Sequence, residues 1–350
     1  MPTSPDQTLT PPTAAPDAAL PAAFIEVEPD TPLALPHIAI GPEWRPAMER
    51  FVELVPDMGP ILKLNYGRPR ADRVPEGADP ADPFLPFVGK PETCTMHVRP
   101  EAIPDAGVRR ELLHFAQALH AYDLPGDLDG AIVTQSMIGP AGGYGMKHLF
   151  AFLRAAMVDL GGGERLAAHV IETHGAGHDE IFPPHTDMWV TTMLLNVFNV
   201  QPAGQGVSTM VRMDDAWPAI AASGIPDEGL AQMRRAVDDA GVCDLYMQFN
   251  AWLYDDRPWS DDIAWTLSDL CLAHEMQPGQ GYLVDDRKWL HGRLGLVWPE
   301  RYTLEDKQNR LYRLGYDTKT SVEHAAARAA DWERHGYFPQ DCVGDEGLMA

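Results

Sequence analysis

The second half of the chain contains a series of short runs rich in β-branched and aromatic residues, most of them bounded by turn residues. Such runs are typical of β-strands. One helix-like segment, about 227–239, interrupts them, so the regular strand–helix alternation of a parallel βαβ sheet is missing. The pattern favours a mainly β fold, a sandwich or a jelly roll, with flanking helices. The predicted strands are 168–172, 189–200, 206–213, 244–253, 281–284 and 310–316.

Helices are predicted mainly in the first half. Apolar residues recur at helical spacing over 108–119, after Pro104-Asp105 and before Pro125-Gly126. A second amphipathic pattern covers 146–157 and stops at three consecutive glycines. A last helix is expected over 321–335.

Residues 1–36 are rich in proline and alanine and poor in large apolar side chains. Such a segment buries too little surface to offset its ordering entropy, so we expect a disordered tail in which 24–27 docks as a short strand. The remainder, 37–350, is expected to form a single catalytic domain. Within it we expect a mostly helical N-terminal layer (37–165), a jelly-roll core (166–318) with a helical insert (225–241), and a C-terminal helix and tail (319–350).

The formal charge is −24, from 27 Lys and Arg against 51 Asp and Glu. A surface of this sign repels phosphate backbones and anionic lipid, so we expect no nucleic-acid and no membrane partner. The four cysteines are widely spaced and form no CxxC, which is typical of reduced thiols. No Lys or Arg precedes Arg45, so no signal or transit peptide is expected. We predict a cytoplasmic protein that acts on a small molecule, with a homodimer left open.

A candidate metal-binding pair is His185 and Asp187. In an extended strand, residues i and i+2 point to the same side, so both side chains can reach one ion. The preceding Pro183-Pro184 favours an extended backbone and prevents a helix. A competing H-x-E, His178 to Glu180, lies in a glycine- and charge-rich stretch without a strand directly after it, and we therefore prefer His185 and Asp187.

A third ligand is offered much later in the chain by His291, within a charged stretch that begins at Asp285. Two histidines and one carboxylate on one face of a metal leave the opposite face open. That ligand set suits non-haem Fe(II), which must also bind a cosubstrate and oxygen.

The stretch 285–293, Asp-Asp-Arg-Lys-Trp-Leu-His-Gly-Arg, resembles the D-N-R-R-x-x-H-G-R segment of the clavaminate synthase-like, TauD-related 2-oxoglutarate/Fe(II) dioxygenases. Residues 201–209 resemble that family's loop and strand ending in G-G-x-[ST], and 309–313 resemble its R-W-L-x-R segment. The three pieces occur in the family's order, over roughly 170–318. Two departures stand out: Asp286 replaces the usual Asn, and Trp289-Leu290 is bulkier than typical.

The resemblance implies a double-stranded β-helix, or jelly-roll, core and a catalytic iron held by His185, Asp187 and His291. It also implies 2-oxoglutarate and O2 as cosubstrates. The distal carboxylate of 2-oxoglutarate needs a planar, bidentate partner, which arginine provides. Arg313 is the first candidate and Arg310 the second; in a strand they point to opposite faces, so one of them is expected inside.

Three further residues are candidates for the cosubstrate pocket. Ser208, or Thr209 by the same parity rule, would add a hydroxyl hydrogen bond. Arg293 follows His291 by two residues and would share its face, as a group supporting the metal ligands.

The reaction implied by the resemblance is oxidative decarboxylation of 2-oxoglutarate to succinate and CO2, coupled to hydroxylation of an unactivated C–H bond. Asp187 occupies the position that is Gly or Ala in halogenating relatives, so hydroxylation, desaturation or ring closure is favoured over halogenation. Small polar metabolites, above all amino acids and their derivatives, are the expected substrates. Glu172, Asp255 and Asp256 are weak candidates for contacts to a cationic substrate group, and 253–267 is a candidate lid.

Two alternatives stay open at the level of sequence. A cupin-like metalloenzyme, such as a dioxygenase or isomerase independent of 2-oxoglutarate, would use the same three ligands. A non-catalytic β-sandwich binding protein would contain the motif by chance.

Overall fold

In the computed structural model, the chain forms two main β-sheets with helices packed on their outer faces. The strands are β1 Phe24–Glu26, β2 His37–Ile40, β3 Leu62–Asn65, β4 Cys94–His97, β5 Gly130–Val133, β6 His169–His174, β7 Phe182–His185, β8 Met193–Phe198, β9 Val207–Arg212, β10 Leu272–His274, β11 Gly281–Asp285, β12 Trp289–Leu294 and β13 Arg310–Tyr316. The helices are α1 Arg45–Leu54, α2 Ala106–His120, α3 Gly143–Leu160, α4 Met213–Ala222, α5 Asp227–Asp238, α6 Ala251–Tyr254 and α7 Ser260–Asp269. The structure describes residues 20–28, 35–58, 62–65, 94–98, 100–134, 143–160, 169–174, 182–187, 192–198, 207–242, 246–255, 257–276, 279–294 and 310–321, and also 324, 327, 328, 330 and 331.

The larger sheet has seven strands in the order β1-β2-β5-β11-β8-β13-β6, and the smaller has four in the order β10-β9-β12-β7. Strands β3 and β4 pair separately. The described pairings are antiparallel except that of β2 with β5. Two mainly antiparallel sheets with outer helices agree with the β-rich class expected from the sequence.

Strand register determines which side chains lie between the two sheets. Tyr282, Asn196 and Arg313 are aligned across β11, β8 and β13, so they share one face of the larger sheet. Met210 and His291 are aligned across β9 and β12 of the smaller sheet. The two faces meet, since the rings of Tyr282 and His291 have centroids 5.7 Å apart. These side chains therefore lie in the space between the two sheets, which is called the interior below.

Helices cover the opposite face of each sheet. Helices α1, α2 and α3 pack on the larger sheet, where Leu195, Leu283 and Leu314 are fully buried. Asp105 begins α2 as predicted, because its carboxylate accepts from the backbone N–H groups of Gly107 and Val108. Helices α4 to α7 form a second apolar layer against Val211 and Leu290 of the smaller sheet.

One predicted strand is wrong. The segment 244–253 was expected to be extended, but the structure has a π-helix over Tyr246–Asn250 followed directly by α6. Phe249 and Leu253, four residues apart, are both fully buried in the helical layer. Tertiary packing of a helical face therefore overrides the β-propensity of the aromatic residues here. Helices α4 and α7 were not predicted either.

The other predicted strands in the second half are present within a few residues of their expected bounds, although 189–191 and 199–200 of the expected strand 189–200 lie outside the described residues. Strand β1 lies inside the stretch expected to be a tail, and it pairs with β2 as the short docking strand that was expected. The helix expected over 321–335 lies largely outside the described residues. The division at 165 and 318 stays a prediction. Among the described residues, no helix combines the length and apolar character needed to cross a bilayer.

A buried ion pair fixes the segment after β13. The Arg328 guanidinium donates to the Asp317 carboxylate at 2.5 Å, and both side chains are almost completely buried. The other oxygen of Asp317 accepts from the hydroxyl of Thr192 at 2.9 Å, just before β8. Every charge in this cluster has a partner, which buried charges require.

We expect Asp317→Ala to lower the free energy of unfolding by about 3–5 kcal/mol, because it leaves the Arg328 charge buried without its carboxylate. Urea denaturation monitored by circular dichroism measures this loss. The matched control is Glu53→Ala, which removes an exposed pair with Arg50 and should change stability by less than about 1 kcal/mol. Equal losses in the two variants would contradict the prediction.

Candidate metal centre

The structure brings His185, Asp187 and His291 together. His185 is the last residue of β7 and pairs with His291 of β12. Asp187 Oδ2 lies 2.6 Å from His291 Nε2, and Asp187 Oδ1 lies 3.4 Å from His185 Nε2. One ligand atom from each residue lies within 4.8 Å of the other two. This is the three-residue cluster that the sequence predicts.

Local sequence explains why the ligand strand has this position. Pro183 and Pro184 lack the N–H groups that a central strand must donate, and proline is therefore confined to sheet edges. Strand β7 is the edge strand of the smaller sheet. Its one sheet neighbour is β12, which contains the third ligand. The proline pair thus determines both the extended shape of the segment and its place beside His291.

Both histidines present Nε2 to the cluster. His185 Nδ1 lies 2.8 Å from the backbone oxygen of Pro183, so Nδ1–H donates there and Nε2 keeps its lone pair. His291 Nδ1 lies 3.2 Å from Asp286 Oδ1, an ion-pair distance, and its Nε2–H donates to Asp187 Oδ2 at 2.6 Å. A hydrogen bond at one ring nitrogen fixes the tautomer and orients the other nitrogen toward the metal. The donor set of two imidazole nitrogens and one carboxylate fits a divalent iron ion.

The charges in the cluster are strongly coupled. Burial acts to raise the pKa of the Asp187 carboxyl, but Arg313, His185 and His291 outweigh it and hold that pKa well below its usual range. Burial acts to lower the pKa of His291, but Asp187 and Asp286 outweigh it and raise that pKa to about 9. Only the neutral imidazole binds a metal, so an ion that enters this site displaces a proton.

Residues 184–187, here called the ligand segment because they contain His185 and Asp187, also form hydrogen bonds with residues of the helical layer. Asn250, at the end of the π-helix, accepts from the backbone N–H of Thr186 at 3.1 Å and donates to the Thr186 carbonyl at 2.5 Å. The Tyr254 hydroxyl donates to the Pro184 carbonyl at 2.5 Å. Asn250 therefore acts as a strand partner for the residue between the two ligands. Sequence reasoning missed both residues, because it assigned their segment to a strand.

Arg313 points into the space between the sheets. Its Nε donates to Asn196 Oδ1 at 3.0 Å, and its Nη1 is paired with Asp187 Oδ2. The guanidinium is therefore next to the metal cluster and almost completely buried. Arg310 begins β13, and its side chain lies outside the described residues.

The register separates the two hydroxyl candidates. Ser208 is aligned with Arg293 and shares the face of β9 on which Met210 lies, toward the interior. Thr209 is aligned with Gly292 on the opposite face, where its side chain hydrogen-bonds Cys271. The expectation that Thr209 could reach the interior is thus corrected, because its strand parity directs it to the helical layer.

The substrate candidates are not brought to the metal cluster by any described contact. Glu172 pairs with Tyr312 in β6 and β13, not with Arg313. Asp255 is exposed after α6, and Asp256 lies outside the described residues, as do His178 and Glu180.

Of the residues expected to form a lid, Ile263 and Leu267 of α7 are buried in the apolar core of the helical layer, and the lid itself stays a prediction. The sequence interpretation missed Phe182. Its ring is half exposed and lies edge-on to His185, with centroids 4.5 Å apart.

Comparison with known proteins gives structural likeness only. No protein-family model and no curated protein matches the chain. An asparagine oxygenase solved with Fe(II), 2S,3S-3-hydroxyasparagine and succinate is 9% identical, with 81% of this chain and 93% of that chain covered and a TM-score of 0.35. The non-heme iron oxygenase OrfP, solved with Fe and L-homoarginine, is 12% identical, with 81% and 94% covered and a TM-score of 0.34. The PvcB protein from Pseudomonas aeruginosa is 13% identical, with 54% and 75% covered and a TM-score of 0.30.

These neighbours include non-haem iron oxygenases solved with Fe(II), alpha-ketoglutaric acid or succinate.

We expect Asn250→Ala to weaken metal binding about 10- to 100-fold, because Thr186 loses both side-chain partners and the ligand segment loosens. Titration with Co(II), followed by visible absorption, measures the affinity. The matched control is Gln232→Ala, which removes a hydrogen bond to Trp252 in the same helical layer without touching the ligand segment. Similar affinities for the two variants would show that Asn250 does not support the centre.

Gly292→Ala should separate β7 from β12. A Cβ at this position would lie 2.4 Å from the Phe182 backbone oxygen and 3.0 Å from the Pro183 carbonyl carbon. The clash is with backbone, so the strand itself must move, and we expect a loss of about 1–3 kcal/mol in stability together with weaker metal binding. Thermal unfolding with and without Co(II) tests both effects, and wild-type behaviour in the two measurements would contradict the prediction.

Proposed function

We propose that the chain is a 2-oxoglutarate-dependent, non-haem Fe(II) oxygenase of the clavaminate synthase-like, TauD-related family. Its two sheets would be the halves of a double-stranded β-helix, within a catalytic domain spanning 37–350. The observation that carries the proposal is the cluster of His185, Asp187 and His291 between the sheets, with the Arg313 guanidinium beside it. Bound iron, with 2-oxoglutarate and O2, supplies oxidative decarboxylation to succinate and CO2 and transfer of one oxygen atom to a substrate C–H bond.

The three ligands have separate tasks. His185 offers an Nε2 lone pair because its Nδ1–H donates to the Pro183 carbonyl, and His291 would bind through Nε2 once an entering ion displaces the proton directed at Asp187. Asp187 supplies the anionic oxygen and fills the position that a halide would need. Hydroxylation is therefore favoured over halogenation.

Arg313 is the proposed partner of the distal carboxylate of 2-oxoglutarate. A guanidinium presents two parallel N–H donors to a carboxylate, and a buried one requires an anion. Asn196 holds its Nε and Asp187 pairs with Nη1, so Nη2 is directly available to an anionic ligand, and Nη1 would become available once a metal takes the Asp187 oxygen. Ser208, on the inner face of β9, would donate a second hydrogen bond to the cosubstrate. Arg293, aligned with Ser208, would support that side of the pocket.

The proposed substrate is a small polar metabolite, an amino acid or a derivative, as in the asparagine oxygenase and the OrfP structure with L-homoarginine. The half-exposed ring of Phe182 beside His185 offers an apolar surface for the aliphatic part of such a molecule. A screen of amino acids and small amines for succinate release would identify the substrate.

The cosubstrate assignment is tested by adding Fe(II) and 2-oxoglutarate to the protein without air. We expect a weak visible charge-transfer band, because the 2-oxo acid chelates the iron through two oxygens. Arg313→Ala should abolish or greatly weaken the band by removing the carboxylate partner.

The matched control is Arg212→Ala, at the outer end of β9 with an exposed ion pair to Asp214, which should leave the band unchanged. Iron binding without a band in the wild type would favour the cupin-like alternative, which uses no 2-oxoglutarate. Retention of iron by His185→Ala would show that the ligand assignment is wrong.

A further inference from the structure

A second carboxylate lies directly behind the metal ligands. Asp286 is fully buried in the turn that joins β11 to β12. Its Oδ2 accepts from the backbone N–H of Asp187 at 2.8 Å, and its Oδ1 lies 3.2 Å from His291 Nδ1. Asp286 therefore contacts two ligands that are 104 residues apart in the chain.

We propose that Asp286 is the positioning residue of the metal centre, which holds His291 with its proton on Nδ1 and fixes the backbone of Asp187. The inference rests on the metal centre proposed above. Here His291 Nε2–H donates to Asp187 Oδ2 at 2.6 Å. With Nδ1–H directed to Asp286, an entering ion that displaces the Nε2 proton is bound through Nε2. With its N–H held, the Asp187 carboxylate cannot turn away from the two imidazoles. One buried side chain thus assembles ligands from two different strands.

This chain has a carboxylate where the resembling family segment has an asparagine. The Asp187 backbone N–H and His291 Nδ1–H are both donors, and a carboxylate has an acceptor oxygen to face each of them. An asparagine has one acceptor oxygen and one NH2 group. That NH2 would either face the Asp187 N–H, donor against donor, or face His291 Nδ1. In the second case Nδ1 must be the acceptor, so in this chain Asp286→Asn would favour the proton on Nε2, the atom proposed to bind the metal.

The backbone around Asp286 makes its placement rigid. Its own N–H donates to the carbonyl of Thr192 at 3.0 Å, at the start of β8. The next residue, Arg287, is buried and donates to the carbonyls of Ala236 at 2.6 Å and Val242. The turn is thus fixed to both the larger sheet and the helical layer. Asp286 has little freedom to move away from the two ligands.

The neighbouring Asp285 provides a matched control. It belongs to the same turn and has the same charge, but its Oδ1 accepts from the Arg287 backbone N–H at 3.0 Å. Its Oδ2 lies 3.9 Å from Lys288 Nζ, on the side away from the metal ligands. Asp285→Asn removes one negative charge close to the centre and leaves both contacts of Asp286 in place. A general charge effect and a specific positioning effect are therefore separable.

The experiment is a titration of the purified full chain with Co(II) alone, followed by its visible absorption, in wild type, Asp286→Asn, Asp285→Asn and His185→Ala. We expect Asp286→Asn to bind Co(II) about 10- to 100-fold more weakly, with a changed absorption spectrum, because a supporting hydrogen bond is replaced by a donor. Asp285→Asn should match the wild type in affinity and spectrum. Wild-type affinity in Asp286→Asn, or equal losses in both variants, would overturn the inference.

A second measurement needs no variant. In the Zn(II)-loaded wild type, nitrogen-detected NMR of the imidazoles should show His291 protonated on Nδ1 and coordinated through Nε2. Coordination through Nδ1 would overturn the inference even if Asp286→Asn does not fold.

Failure of the proposed function gives a different result: if the wild type binds neither Co(II) nor Zn(II), the assignment of the metal centre itself is wrong. If the wild type binds both metals and Asp286→Asn binds them equally well, only the role of Asp286 is wrong.

Discussion

The pairing of β7 with β12 is the interaction on which the metal centre depends. It places His185 opposite His291 and brings Asp187 to the same point. In the sequence, β7 and β12 are separated by β9 and β10 of the same sheet and by helices α4 to α7. The approach is close because Gly292 has no side chain where the backbone of Phe182 passes. A register shift follows between His291 and Arg293, where β7 has one extra residue, and the two strands pair again at Arg293 and Phe182. The three metal ligands are therefore brought together by the pairing of β7 with β12.

Charge compensation inside the molecule follows from that geometry. Two carboxylates, Asp187 and Asp286, are concentrated where a divalent cation would bind, and Arg313 lies against one of them. In a chain of net charge −24, a buried arginine beside a buried carboxylate is not needed for solubility. Burial of such charges is unfavourable unless each has a partner, and here Arg313 and Asp187 are partners of each other. In the proposed function, a divalent metal would bind the Asp187 carboxylate and a dicarboxylate cosubstrate would bind the Arg313 guanidinium.

Much of this could be predicted from sequence because it depends on short-range periodicity. The parity rule paired His185 with Asp187, and the runs around 206–213 and 310–316 were recognisable as strands by composition. The same rule placed Arg310 and Arg313 on opposite faces of β13. It could not choose between Ser208 and Thr209, since either parity is possible until the register with β12 is known. Long-range register is set by packing between strands distant in the chain, which no local pattern contains.

The helical layer shows a second limit of prediction from sequence. Residues 246–254 have aromatic and apolar side chains that suit a strand equally well, and their helical form is decided by the space beside β7 and β9. That misassignment hid Asn250 and Tyr254, whose hydrogen bonds hold the ligand segment from the side opposite Asp286. The segment between His185 and Asp187 is therefore fixed from two directions, by a side-chain amide at Thr186 and by a carboxylate at Asp187. Supporting residues of this kind come from elements far away in sequence, so the ligands of a metal centre are easier to recognise than the side chains that hold them.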